Sequence, residues 1–261
     1  MERSWPEIHQ SWQRDGFARL GPVLTPAEAD ALGQELESVA SRAPDGPNPY
    51  GTLVHNVWTE SPGCAALIHS GRLDALMRQL LDVPGLLLFH DLLIWKQPGN
   101  QSELMWHQDY SYWPLEPTVG VALWIALDDA EVANGCMHYL PGSHRLGERR
   151  PATFAGGGDL DERVAALPPL DLERARRDAR AVPVRAGEAI VHHPLVWHMS
   201  PVNTSERHRR AWSTVWVSPA SRWDPSHAVH PFNYTLNPEP GTLVSGELFP
   251  VFPVQQPDSE P

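Results

Sequence analysis

Apolar residues follow two different periods along the chain, and the change falls near residue 85. Before it, the spacing is helical. Ser4-x-x-Glu7 has the form of a capping box, and Trp5, Ile8 and Trp12 share one helical face before Gly16 ends it. Phe17, Ala18, Arg19 and Leu20 then read as a short strand. Thr25-Pro26-Ala27-Glu28 is a second capping box with proline at the first helical position, and Leu32, Leu36, Val39 and Ala40 continue that helix. Residues 41–51, rich in proline and glycine, predict a loop. Leu73, Leu76, Met77 and Leu80 mark a third helix, stopped by Pro84-Gly85.

From Leu86 onward the pattern is that of strands. Segments 86–97, 118–127, 135–140, 181–184, 188–198 and 210–217 are candidates, set apart by Gly, Pro, Asn and Asp. Short strands with turn signals between them predict a mainly β chain folded as an antiparallel sandwich or jelly roll. Residues 145–180 interrupt the run with Gly156-Gly157-Gly158 and an Arg-rich stretch at 173–180. That insertion reads either as a solvated loop or as a lid over a pocket. The expectation is one domain over 1–250, followed by a Pro-rich, acidic, disordered tail at 251–261.

Charge and cysteine content narrow the function classes. Among 261 residues, 20 Lys and Arg stand against 32 Asp and Glu, a net charge of −12. Nucleic acid and anionic membranes call for clustered cations, so neither is expected as a partner. Cys64 and Cys136 are the two cysteines, which gives no disulfide framework and fits a reducing, cytoplasmic setting. The N-terminus lacks a signal-peptide core. The longest apolar stretch, 86–95, is interrupted by His90 and Asp91 and is too short for a bilayer. A small-molecule partner remains. The 11 Trp serve either the core or the walls of a pocket for a bulky ligand.

His107-Gln108-Asp109, then His198, then Arg209 carry the chemistry. In extended chain, residues i and i+2 point to one side, so His107 and Asp109 can grip one ion. Two imidazoles and one carboxylate form the facial ligand set of non-haem Fe(II), which leaves three positions open. Arg209, eleven residues past His198, supplies a cation suited to the carboxylate of an organic co-substrate. Taken alone, His-x-Asp is also compatible with an ordinary hydrogen-bonded histidine. Arg210 should face away from Arg209 toward the surface. His192 and His193 are read as packing or substrate contacts, and His144 as a turn residue.

The surrounding text is more specific. Asp15-Gly16-Phe17, Trp106-His107-Gln108-Asp109-Tyr110, the run from Leu123 to Asp129, Asn134-Gly135-Cys136, Leu140-Pro141-Gly142-Ser143-His144, His198-Met199-Ser200 and Arg209-Arg210-Ala211 occur in this order. Over about residues 12–217 this order resembles the phytanoyl-CoA dioxygenase family of Fe(II)/2-oxoglutarate-dependent oxygenases. The resemblance implies a double-stranded β-helix (a cupin-like jelly roll) with N-terminal helices packed on one sheet. It implies that His107, Asp109 and His198 bind iron and carry catalysis with 2-oxoglutarate and O2. It further implies that Arg209 pairs with the distal carboxylate of 2-oxoglutarate, helped by Ser200. Trp124 would line the co-substrate pocket, with Lys96 as another candidate contact. Tyr110, Tyr112 and Trp113, directly after the metal motif, are candidates for substrate contact.

The implied reaction is oxidation of an unactivated C–H bond of a small molecule, coupled to conversion of 2-oxoglutarate to succinate. Hydroxylation is the default outcome; epimerisation, cyclisation and desaturation share its first step. The intact carboxylate at Asp109 argues against halogenation. A tailoring enzyme of secondary metabolism, as in antibiotic biosynthesis, is favoured over an acyl-CoA hydroxylase, because no basic groove suits the phosphates of coenzyme A except the Arg-rich insertion, whose acidic residues partly cancel it. A zinc-dependent hydrolase or lyase and a non-catalytic jelly-roll binding protein are the other readings.

Overall fold

The computed structural model describes residues 4–42, 52–99, 101–150, 165–228 and 230–253. Both expected capping boxes form. Ser4 N–H donates to Glu7 at 2.8 Å and opens helix α1 (Trp5–Asp15). Thr25 N–H donates to Glu28 at 2.6 Å and opens α2 (Pro26–Arg42). Gly16, at φ 82°, ends α1 with an αL turn into strand β1 (Phe17–Pro22). Strand β2 (Thr52–His55) and helices α3 (Pro62–His69) and α4 (Arg72–Leu81) follow.

The remaining strands build two antiparallel sheets. They are β3 (Gly85–Lys96), β4 (Leu104–His107), β5 (Gly120–Ala126), β6 (Met137–Tyr139), β7 (Arg180–Val182), β8 (Glu188–His192), β9 (His198–Ser200), β10 (Arg209–Val217) and β11 (Val251–Pro253). The larger sheet runs β1-β8-β5-β10-β3-β11, with β2 also on β3, and the smaller runs β4-β9-β6-β7. This is the expected jelly roll with its helices on one sheet. Alternation on β5 shows how the sequence sorts the layers. Val121, Leu123 and Ile125 join Leu32, Leu36, Ile68 and Met77 in the core under the helices. Trp124 and Ala126 face the other way, joining Met137 and Tyr139 of the smaller sheet.

Three expectations need correction. The strand expected over 188–198 is two strands in different sheets, β8 and β9, joined by a turn around Pro194. Proline lacks the N–H that a continuous ladder would need. The tail expected to be disordered from 251 begins as β11, pairing Val251 with Leu87 and Phe252 with Leu86. Phe252 packs at 5.5 Å on Trp216, and this apolar contact outweighs the tail's disorder-prone composition. Residues 254–261 lie outside the described residues. In the insertion, helix α5 (Leu172–Asp178) is capped by the Asp171 side chain, which accepts from Arg174 N–H. Its Ala175 is buried with Trp106, Leu140 and Trp197, so α5 covers the smaller sheet rather than standing in solvent. No described residue of 145–180 lines the main cavity; residues 151–164 of that segment lie outside the described residues.

Candidate active site

A cavity of about 250 Å³ lies between the sheets. His107 ends β4 and His198 starts β9, and the two pair across the smaller sheet. Their ring centroids are 4.1 Å apart. Asp109 opens the turn after β4, with Oδ1 3.3 Å from His198 Nε2 and 3.7 Å from His107 Nε2. All three ligand atoms lie within 4.8 Å of one another.

The tautomers are fixed by the backbone. His107 Nδ1–H donates to the Met105 carbonyl at 2.6 Å, and His198 Nδ1–H donates to the Val196 carbonyl at 3.0 Å. A carbonyl can only accept, so both Nε2 lone pairs face the site, as metal ligation requires. Burial, then the neighbouring His198 ring, lowers the His107 pKa to about 3, which keeps the ring neutral at physiological pH. Burial opposes the charge on Asp109, but His198 and His192 outweigh it and hold the carboxyl well below the usual range.

His192 completes the centre. Its Nε2–H donates to Asp109 Oδ2 at 2.9 Å, and its Nδ1 accepts from the buried Tyr139 hydroxyl at 3.1 Å. Oδ1 is thereby left for a metal. The expectation of packing or substrate contact missed this role. Alternation along β8, which puts His192 on the same face as Ile190, was the available signal. Gln108, between the two ligands, must point away from them. It is fully buried, donates to the carbonyls of Leu195 (2.7 Å) and Gly147 (3.0 Å), and accepts from Arg149 N–H (2.8 Å). It ties the metal turn to the chain on both sides.

Arg209 pairs with Lys96 across β10 and β3 and lies fully buried behind Ser200 and Trp124. Its Nη2–H donates to Ser200 Oγ at 3.1 Å, and its guanidinium carbon sits 5.7 Å from the Trp124 ring centre. Its Nε and Nη1, and Trp124 Nε1, are buried with no hydrogen-bond partner among the described residues. Buried donors this close together fit a missing acceptor of two oxygens, such as a carboxylate. The donor set thus fits both Fe(II) and 2-oxoglutarate.

Lys96 does not fit that role. Its ammonium donates to the carbonyls of Ser102 (3.0 Å), Ser200 (2.8 Å) and Pro201. Three carbonyls surround its Nζ, so Lys96 anchors the segment after β9. Nearby, Gly135 turns at φ 87° with the Pro201 carbonyl 2.6 Å from where a Cβ would stand, so only glycine fits. Arg210 faces away from the cavity as expected, but it is buried rather than on the surface. It pairs with Asp128 at 2.6 Å and Glu37 at 2.9 Å, joining β10 to α2.

Tyr112 and Trp113 line the cavity, Tyr112 edge-on to His107 at 5.9 Å. Tyr110 does not: its hydroxyl donates to the Leu115 carbonyl at 3.1 Å and its ring packs on His227 at 4.4 Å. Trp106, Trp113 and Trp124 are cavity walls, while Trp212 and Trp216 belong to the core under the helices. Both readings of the tryptophans therefore hold, at different positions. Both cysteines are free and buried. Among the described residues no helix is long and apolar enough to cross a membrane.

Known proteins share this fold. The phytanoyl-CoA dioxygenase (PhyH) family model matches residues 12–211. Phytanoyl-CoA dioxygenase domain-containing protein 1 of Bos taurus is 33% identical over 189 residues, covering 70% of this chain and 62% of that protein. The match thus spans somewhat under two thirds of that relative's length. Among solved structures, the non-heme alpha ketoglutarate dependent carbocyclase SnoK from nogalamycin biosynthesis superposes with a TM-score of 0.77 at 26% identity, covering 95% of this chain and 96% of that one. The epimerase SnoN, solved with Fe3+, alpha ketoglutarate and nogalamycin RO, shares the fold at a TM-score of 0.74 and 22% identity, covering 94% of this chain and 97% of its own. With a family match that spans most of the chain and a facial ligand set at its centre, the protein belongs to the phytanoyl-CoA dioxygenase family.

Proposed function

We propose that the protein is an Fe(II)/2-oxoglutarate-dependent dioxygenase that oxidises an unactivated C–H bond of a small, ring-containing molecule in secondary-metabolite tailoring. The observation that carries this is the pairing of a facial triad with a buried arginine whose Nε and Nη1 have no partner among the described residues. His107, Asp109 and His198 would hold the iron, and Arg209 with Ser200 would hold the distal carboxylate of 2-oxoglutarate. When bound, this pair supplies the oxidation of the C–H bond with dioxygen.

The chain's own residues do the rest. The carbonyls of Met105 and Val196 keep both imidazoles aimed at the metal. His192, braced by Tyr139, holds one oxygen of Asp109 and presents the other. Trp106, Trp113, Ile94 and Met137 exclude water and offer flat apolar walls to a substrate. Among the described residues no Lys or Arg lines the cavity, which speaks against a coenzyme A thioester. A zinc-dependent hydrolase would have no use for Arg209. A binding module that had lost catalysis would not be expected to keep all four residues. Hydroxylation is the default outcome, and the likeness to SnoK keeps ring closure beside it.

The test is anaerobic titration of the Fe(II)-loaded protein with 2-oxoglutarate. A visible metal-to-ligand charge-transfer band that bleaches on admitting oxygen is the expected result. Bound iron without a band would rule out bidentate chelation and return the zinc and binding-module readings.

A further inference from the structure

The cavity has a second cluster of histidines that the iron chemistry does not use. His55 ends β2, His90 lies in β3, and His230 caps helix α6 (Pro231–Thr235). Their ring centroids are 5.3 to 5.8 Å apart, and each offers a nitrogen within 4.8 Å of the others. A β-bulge brings His90 in. Val215 pairs with His90 and Trp216 with Leu88, so Phe89 is an extra residue. Leu88 packs under the helices, whereas Phe89 packs with Trp113 and His90 lines the cavity, so these two consecutive side chains face inward.

His90 and His230 are 7% and 4% exposed, and His90 Nδ1 and His230 Nε2 are buried without a hydrogen-bond partner among the described residues. The helix cap settles the His230 tautomer. Its Nδ1 accepts from Phe232 N–H at 3.2 Å, so a neutral ring carries its proton on Nε2. Burial, with the neighbouring rings adding, holds His230 at about 2 and His90 at about 3, so both are neutral near pH 7. A buried N–H with no acceptor is costly. A metal ion would not relieve it, because ligation through His230 Nε2 would put the ring proton on Nδ1, against Phe232 N–H. An uncharged oxygen would relieve it.

The position of the cluster sets the shape of the ligand. His90, Val215, Ala122 and His192 pair in one row across β3, β10, β5 and β8. Three strand spacings put the His90 and His192 backbones roughly 14 Å apart. His192 holds Asp109, so the His90 backbone stands three strands away from the residue that braces the proposed metal ligand.

We infer that His230, with His55 and His90, forms a subsite for a neutral acceptor oxygen, a carbonyl, ether or hydroxyl, on the substrate's apolar ring system, remote from the carbon to be oxidised. This rests on the reading of the cavity as a substrate pocket. The test uses matched probes, 9-fluorenone and fluorene, which differ by one carbonyl oxygen. Each is titrated into the iron-free full chain, and quenching of tryptophan fluorescence is followed. Fluorenone should bind about tenfold tighter than fluorene. His230→Phe should bring the ratio near one with fluorene affinity within about twofold, whereas His230→Asn, which keeps a capping side chain and an N–H donor, should retain part of the preference. His90→Phe leaves the cap intact and should also reduce the ratio. Equal binding of both probes by the unaltered chain, or an unchanged ratio in His230→Phe, overturns the assignment. So does one equivalent of Zn(II) bound to Asp109→Ala and lost on adding His230→Phe. The probes need neither iron nor 2-oxoglutarate, so a missing charge-transfer band would count against the iron reading and leave this result standing.

Discussion

Arg209→Met separates a binding role from a structural one, because the two predict opposite changes in stability. The arginine is fully buried, and burial lowers it from 12.5 to about 10. That shift corresponds to about 3 kcal/mol against the charged form in the fold. A base whose pKa falls on folding holds its proton less tightly in the native state, so this cost is present in full below pH 10 and fades only as pH rises toward 12.5. Methionine has comparable length and no charge. Replacing Arg209 relieves the cost and gives up one bond to Ser200, worth about 1 kcal/mol. The net is a ligand-free variant more stable by about 2 kcal/mol, or about 5 °C in Tm for a chain of this size.

Affinity for 2-oxoglutarate should move the other way. Loss of two charge-assisted bonds from Nε and Nη1 weakens it by on the order of a hundredfold to a thousandfold. Calorimetric melting without co-substrate reads the first effect, and anaerobic titration of the Fe(II) form reads the second. A variant that melts several degrees below the parent, or that binds 2-oxoglutarate within tenfold of it, would show that Arg209 is a structural cation and refute the argument.

Other expectations follow from single contacts. His107→Ala and Asp109→Ala should each abolish stoichiometric Fe(II) binding in equilibrium dialysis, while Arg209→Met retains it. His192→Phe leaves all three ligands in place but frees Asp109 Oδ2, so iron affinity should fall about 10- to 100-fold; unchanged affinity would reduce His192 to a packing residue. Gln108→Ala strands the Leu195 and Gly147 carbonyls and the Arg149 N–H and should cost about 3 kcal/mol in urea unfolding. His90 is held at about 3 in the fold against 6.5, so the unfolded chain binds the extra proton between these values. Stability from this residue is therefore lost as pH falls below 6.5, and His90→Phe should gain on the parent by about 1.4 kcal/mol per pH unit between pH 6 and 4. A pH-independent difference in urea midpoints would contradict this.

What the sequence reveals and what it hides divide along a physical line. His107 and Asp109 are legible because strand alternation puts i and i+2 on one side. Arg209 is legible because it follows His198 by eleven residues. The capping boxes at Ser4 and Thr25 are purely local and form as expected. His192 is hidden because its role depends on the chain leaving one sheet after β8 and entering the other at β9. Lys96 misleads for the same reason: its strand was read well, but the carbonyls of Ser200 and Pro201 that take its donors arrive from the other sheet. The burial of α5 was missed because its Arg-rich surface dominates the composition, while the contact is made by Ala175 and its Leu neighbours. His55, His90 and His230 have no local signature, since they come from a strand end, a bulge and a helix cap.

That last distribution bears on how such a site can change its substrate. The proposed iron ligands sit on β4 and β9 of the smaller sheet and the turn between β4 and β5, and Arg209 sits beside them on β10. Each is fixed by backbone carbonyls, by Gln108 or by register, so a shift in any of them would disturb the chemistry. The histidine end is built from different parts: β2 and β3 of the larger sheet, and α6, which follows the last iron-site strand. Side chains at the bulge and at the short helix cap can be exchanged while the β3–β10 pairing that places Arg209 opposite Lys96 stays as it is. Substitutions at His55, His90, Phe89 and His230 should therefore change which molecules bind while leaving the 2-oxoglutarate charge-transfer band in place. A change at His192 or Gln108 should disturb the band whatever the substrate. The fold in this way lets recognition vary against a fixed oxidising centre, and the two classes of variant are separable by one anaerobic spectrum.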